Sequence, residues 1–417
     1  MIRVQGMETG SGALTPSRLG ILVICSLAYL LDGLIHTVLG PLAPRIAQDL
    51  HLSNAQLGPI FSANLLGQLF GLLIFPLLSE RRGHRLVVIV TVLGFGVFQL
   101  LAGLAQDASQ LFWARLCTGF FLGGTLPSCL AMVAAAAPRQ RQGLMVSILF
   151  AGYGTGATLA GLVGAPVLLS SWRTGMLLTG GLCLVVAVAA WVWLRDVAPA
   201  ASQSAPAKPR FGANAVALLM PPYWMGTLML WLLFISMLTI SYCLSSWLPI
   251  IMVKVGRPAS LASLAITIFG IGGIVAGLTV GALVDRFGQT RVLMLFMAAS
   301  TVLLFAIAQV LATASVTLLL TLLALCGFFA LGAYAGINIV LASFYPHNLR
   351  AIGIGVTKSV GRVGTIVAPV LIGFALTAGM SETRVLSLFA LPTAISAIAI
   401  GVIGAVRHAM DRKNAEN

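Results

Sequence analysis

From Leu86 to Gln106 the chain runs without a single charged side chain, and it does so again over 116–138, 174–194, 258–284 and 385–406. A bilayer's hydrocarbon core, about 30 Å thick, is crossed by roughly 20 consecutive apolar residues in a helix. Each stretch therefore reads as one membrane span. Residues 292–349 are too long for one helix and divide near Ala312–Ser315, while 211–253 hold one span after Pro221-Pro222. The full set of expected spans is 19–40, 55–79, 86–106, 110–137, 142–168, 173–195, 225–251, 258–284, 290–311, 314–344, 350–378 and 384–406. A water-soluble fold is excluded by the same pattern. Only 8% of the 417 residues are charged and 59% are hydrophobic, against roughly 25% charged in soluble domains. The first span is not read as a cleavable signal, because it contains Asp32 and no small-residue cleavage site follows it.

A formal charge of +14 raises the question of nucleic acid, and its placement answers it. With the N-terminus inside, 16 of the 24 Lys and Arg fall in cytoplasmic segments and 5 in outer loops. This is the bias that orients membrane proteins. It predicts a plasma-membrane protein, the cytoplasmic or inner membrane in a bacterium, with both termini cytoplasmic. The six cysteines all lie in apolar spans without metal-like spacing and read as small buried hydrophobes.

The longest polar break, 196–223, carries Pro and Ser that neither continue a helix nor build a core. It predicts a cytoplasmic linker between six-span halves, 1–195 and 224–417. The halves echo each other: Glu80-Arg81-Arg82-Gly83-His84-Arg85 follows span two, and Asp285-Arg286-Phe287-Gly288-Gln289-Thr290-Arg291 follows span eight. Repeats of this kind are the plan of many secondary transporters, which bind substrate between the repeats near mid-membrane.

Gly281-x-x-x-Asp285-Arg286-x-Gly288 resembles the loop signature of the major facilitator superfamily. The first-half copy is degenerate, with Pro76 and Glu80 in place of its Gly and Asp. Arg115-x-x-x-Gly119 is similar to a second signature. A closer resemblance is to the aromatic acid:proton symporter family. It rests on Asp32-Gly33, Gly123-Gly124-Thr125-Leu126-Pro127, Ala137-Pro138-Arg139-x-Arg141, Gly332 to Asn338, Phe344-Tyr345-Pro346, Arg350 to Gly355, and Gly361-Arg362-Val363-Gly364. Ile35, Ala135, Tyr334 and Lys358 depart from that family's pattern. The resemblance implies an all-α membrane protein, twelve transmembrane helices in two halves, that takes up an aromatic or related carboxylate with protons by alternating access.

Ionised groups inside a bilayer cost roughly 2.5–3.5 kcal/mol each on insertion scales, so those present mark candidate sites. Four lie within spans: Asp32, Arg115, Lys358 and Arg362. Asp32 is the sole intramembrane acid, and His36 follows it one turn later on the same face. Asp32 either carries a coupling proton or holds two helices together in a permanent salt bridge. His36 either shares in that coupling or hydrogen-bonds a neighbouring helix. Arg115 either pairs with Asp32 or reaches the outer interface along its stem. Lys358 and Arg362 share one face of span eleven, where like charges repel, and an organic anion bound between them relieves the excess of cations. Alternatively, Lys358 reaches the cytoplasm and Arg362 pairs with carbonyls or Asp32. Tyr153, Tyr242, Tyr334 and Asn338 are candidate substrate contacts. Glu80, Arg81, Arg85, Asp285, Arg286 and Arg291 are candidates for a cytoplasmic gate.

No Gly-x-x-x-x-Gly-Lys-Ser/Thr loop, His-Glu-x-x-His or Gly-x-Ser-x-Gly motif is present, so the expectation is a transporter driven by an ion gradient, not an enzyme. The expected partners are a small organic anion, protons and the lipid bilayer, with no nucleic acid, cofactor or metal; the expected state is a monomer. The rival is a drug/proton antiporter of the same superfamily, which usually has a Gly-Pro-x-x-Gly-Gly-like run in span five. Here Gly152 to Gly161 lacks the proline. The charge bias makes one prediction. In a cysteine-free background, a membrane-impermeant maleimide applied to sealed right-side-out cells labels Glu382→Cys and not Ala205→Cys; labelling of the latter overturns the orientation.

Overall fold

The computed structural model describes residues 16–138, 141–163, 171–194 and 216–416. Its helices are α1 (Pro16–Asp49), α2 (Asn54–Arg82), α3 (His84–Gly103), α4 (Ala108–Ala136), α5 (Gln142–Val163), α6 (Trp172–Trp193), α7 (Trp224–Lys254), α8 (Ala259–Phe287), α9 (Gln289–Val310), α10 (Val316–Phe344), α11 (His347–Thr377), α12 (Glu382–Leu388) and α13 (Ala390–Glu416). The last two form one span that bends at Phe389. Among the described residues there are thus twelve segments long and apolar enough to cross a membrane, arranged as two halves of six.

Local chemistry sets where the helices begin and turn. Side chains of Ser53, Asp107, Ser171 and Ser315 cap α2, α4, α6 and α10 by accepting from backbone N–H groups. At the other face, α2 turns into α3 at Gly83 and α8 into α9 at Gly288, with φ of 86° and 87°. These are the glycines of the two sequence echoes, and both occupy a backbone region that side chains with a Cβ rarely adopt. The face bearing these turns is called the basic face here, and the one bearing the caps the far face.

The spans match their sequence-derived ranges within a few residues, with one clear correction. α1 does not stop near residue 40 but continues through Pro41 and Pro44 to Asp49. Leu42, Ala43 and Ile46 in this extension are buried, and a transmembrane helix tolerates proline where neighbouring helices support the backbone. The far end of span five, 164–168, and most of the 196–223 linker lie outside the described residues.

Apolar helices gain little from the hydrophobic effect inside lipid, so close packing at small residues holds them together. α2 and α4 show this best. A Cβ on Gly67 or Gly71 would meet the carbonyl of Leu116 or Phe120, and one on Gly119 the carbonyl of Asn64. Outward from these seams, Leu73, Val185, Leu278 and Val302 present exposed apolar surface, as lipid contact requires.

The halves join through α2 with α11, α5 with α8, and α1 with α7 and α8. The specific contacts run from mid-span to the far face: Ser62 Oγ donates to the Ile366 carbonyl (2.6 Å), Thr267 Oγ1 to the Thr158 carbonyl (3.3 Å), and Phe61 meets the Trp247 ring edge at 5.3 Å. Gly40 lies against the Ser245 backbone and Gly58 against Pro369. Glu80 and Asp285, on the basic face, are exposed and form no ion pair among the described residues. The molecule is therefore closed at the far face and parted at the basic face. The α2–α4 seam yields a stability prediction: Gly119→Ala forces the backbones apart and lowers the thermal midpoint, by roughly 1–3 kcal/mol of overpacking, whereas Gly181→Ala, with open space around it, leaves it unchanged or raises it. Equal midpoints for the two variants would contradict the packing.

Candidate functional site

Near mid-span, where the closed part of the seam meets the open part, polar side chains gather. Asp32 of α1 is 1% exposed and its Oδ1 has no hydrogen-bond partner. It forms no ion pair among the described residues, so the permanent salt bridge is not what is seen. The cation whose charge reaches it is Arg362 of α11. Around them stand Tyr29 of α1, Tyr153 of α5, Tyr242 of α7 and Tyr334 of α10, close enough to act on one another electrostatically. The rings of Tyr29 and Tyr153 lie 5.1 Å apart, and His36 is 4.8 Å from the Tyr242 ring.

Gly33 explains how α5 comes so near. The backbone carbonyl of Tyr153 occupies the place where a Cβ on Gly33 would be. The dipeptide Asp32-Gly33 therefore supplies both the carboxyl and the gap that brings an aromatic ring to it.

The other candidate residues fall differently. His36 is half-buried, and Asn64 of α2 donates from Nδ2 to its Nδ1 (3.3 Å). Arg115 neither pairs with Asp32 nor reaches the far face. It is 1% exposed and donates to Gln99 Oε1 (2.9 Å) and to the Ile35 carbonyl (3.1 Å). Gln99 continues to Thr179 Oγ1 (3.0 Å), so this guanidinium ties α4 to α1, α3 and α6. Fixing the carbonyl of Ile35 places it one residue from His36. Asn338 turns its amide back on its own helix, donating to the Tyr334 carbonyl (2.8 Å). Lys358 is exposed on the parted side, one turn from Arg362. At the basic face, Arg81, Asp285, Arg286 and Arg291 are exposed; Arg286 lies over the Phe287 ring at 5.2 Å, and Arg85 donates to the Trp191 carbonyl (2.9 Å).

Arg362 donates from Nη1 to Gln68 Oε1 of α2 (2.9 Å). Gln68 and Asn64 belong to the site, and sequence reasoning passed them over. The signal was there: two amides four residues apart in an otherwise apolar span, on one helical face. The arrangement places a guanidinium and a buried carboxyl among four tyrosines. Such a site can hold a planar ring and an anionic group together, and can accept or give up a proton at Asp32.

Fold and site define a multi-pass membrane transporter whose polar centre lies between two helical halves. The chain belongs to the Major Facilitator Superfamily, whose family model matches residues 25–256 and 230–417, and its relatives are transporters, not enzymes. It is 32% identical to the 4-hydroxybenzoate transporter PcaK of Pseudomonas aeruginosa, over 95% of this chain and 94% of the relative. It is 30% identical to a gallate transporter of Pseudomonas putida, over 93% and 92%. The fold is similar to the crystal structure of the nucleoside transporter NupG, with a TM-score of 0.77 over 93% of this chain and 99% of that one, at 16% identity.

Proposed function

We propose that this protein takes up a small aromatic carboxylate together with protons, by alternating access between its two halves. The observation that carries the reading is that Arg362 and the buried, unpaired Asp32 stand near each other among tyrosines at the seam. Arginine holds a carboxylate with two parallel hydrogen bonds, and the tyrosines supply apolar faces for the ring with polar tips beside it. Relatives that are 4-hydroxybenzoate and gallate transporters support the same substrate class.

Asp32 is the group for the proton. Burial and a nearby cation act in opposite directions on a carboxyl, so its proton occupancy follows what stands beside it: Arg362 alone, or Arg362 already satisfied by a substrate anion. His36, one turn along, is the second titratable group, and Arg115 keeps that stretch of α1 in place. Lys358 draws the anion from the parted side toward Arg362. Glu80, Arg81, Arg85, Asp285, Arg286 and Arg291 form the gate that closes the basic face in the opposite state. That face is cytoplasmic, with both termini, in a plasma membrane; the halves 1–195 and 224–417 rock about the linker 196–223, and the working unit is the monomer. Each charge carried through 100 mV yields about 2.3 kcal/mol, enough for one or two protons to drive accumulation.

Two measurements test this. With radiolabelled 4-hydroxybenzoate in proteoliposomes under an imposed pH gradient, Asp32→Asn abolishes uphill accumulation and leaves counterflow exchange measurable. Full accumulation by this variant, still collapsed by a protonophore, assigns the proton elsewhere. By calorimetry on purified protein, Arg362→Lys weakens binding of the carboxylate and Arg362→Ala nearly removes it, a loss of roughly 2–5 kcal/mol. The neutral amide of the same ligand costs wild type heavily and the Ala variant little. An equal penalty in both proteins makes Arg362 structural, and preference for cationic ligands moves the assignment to drug efflux.

A further inference from the structure

α2 brings two buried amides to the seam, Asn64 at 3% and Gln68 at 9% exposure. An amide taken out of water costs free energy unless it is hydrogen-bonded. Each reaches a different helix: Asn64 meets His36 on α1, within its own half, while Gln68 meets Arg362 on α11, across the seam. The Gln68 bond occupies Nη1 alone. The Nε and Nη2 groups of Arg362 form no hydrogen bond to any described residue, and that edge is one of those with which a guanidinium grips a carboxylate in two parallel bonds. An arginine on its long stem loses considerable rotamer freedom when it is fixed. Here Gln68 has fixed it before any ligand arrives.

The bond also depends on the state of the molecule. α2 and α11 touch along the closed part of the seam, through Ser62 with the Ile366 carbonyl and Gly58 with Pro369. Opening the far face draws these helices apart and takes Gln68 away from Arg362. The guanidinium is then held from one half alone.

We infer that Gln68 is the positioning residue of the anion site: it orients Arg362 from the opposite half, so that carboxylate binding and far-face closure favour each other. This rests on the reading of Arg362 as the anion receptor. A ligand shifts a conformational equilibrium only by its difference in affinity for the two states, and the coupling is reciprocal. Gln68 supplies that difference, because the oriented fork exists only in the closed state.

The test uses the full chain, purified, with its native cysteines replaced and spin labels at Gln48→Cys and Ala378→Cys, exposed positions at the far ends of α1 and α11. Distances are read by pulsed electron resonance with and without 4-hydroxybenzoate, and affinity by calorimetry. Without Gln68→Leu, ligand moves the distance distribution toward its short component. With it, binding weakens about tenfold or more, as for a lost hydrogen bond to a charged group, and the ligand-induced shift disappears. Gln68→Glu provides a second reading should the Leu variant fold poorly: its carboxylate occupies Arg362, giving the short distance without ligand and abolishing carboxylate binding. Wild-type affinity with a wild-type shift in Gln68→Leu overturns the inference, as does weakened binding with the shift intact. Binding lost in Arg362→Ala but preserved in Gln68→Leu removes the inference alone. Binding that survives Arg362→Ala removes the anion-site reading and the inference with it.

Discussion

An ionised side chain in the hydrocarbon core has no solvent to face, so it must sit where helices meet or where water enters between them. That constraint organises the molecule. Asp32 and Arg115 are buried and Arg362 is half-buried at the seam, while the exposed surface of the spans is apolar, leucine and valine above all. Arg115 donates from its two Nη groups to a side-chain amide and a carbonyl and braces one half. The guanidinium of Arg362 donates its one hydrogen bond among the described residues to the other half. One charge has been turned into scaffold, and the other left at the boundary between the two halves.

The seam is shaped by glycine. Between α2 and α4 glycines fuse two helices of one half, through backbone contacts at Gly67 and Gly119. Gly33 lets α5 approach α1 at the polar centre. Gly40 and Gly58 do the same between halves. One residue type thus brings helices together both inside each half and across the seam, where dispersion between closely packed surfaces acts without a side-chain bond.

Much of this was legible in the chain. Helix number and approximate limits followed from charge-free runs of membrane length, and Asp32, Arg362 and the tyrosines stood out because polar groups are rare in such runs. The length of α1 was not legible, since Pro41 and Pro44 look like a stop until buried neighbours support the backbone. Arg115 was misjudged for a related reason. A charge suggests an opposite charge as partner, yet it settled on Gln99 and the Ile35 carbonyl, and a carbonyl has no signature in sequence. Asn64 and Gln68 went unremarked because neutral amides carry no formal charge, although burying one in lipid still demands a partner.

The ion pairs at the far ends of the helices, Arg173 with Asp49 and Lys254 with Glu382, each lie within one half. Between the halves, apart from the part-buried Arg362–Gln68 bond at mid-span, the contacts seen among the described residues toward the far face are hydroxyl-to-carbonyl bonds, aromatic edges and glycine contacts, which carry no charge. Dissolved salt screens interactions between exposed charges over about 8–10 Å at ordinary ionic strength and leaves neutral contacts nearly untouched. Contacts of this kind keep nearly the same grip in dilute fresh water and in brine. The ion pairs within each half are weakened by the medium, and the uncharged contacts between the halves are indifferent to it.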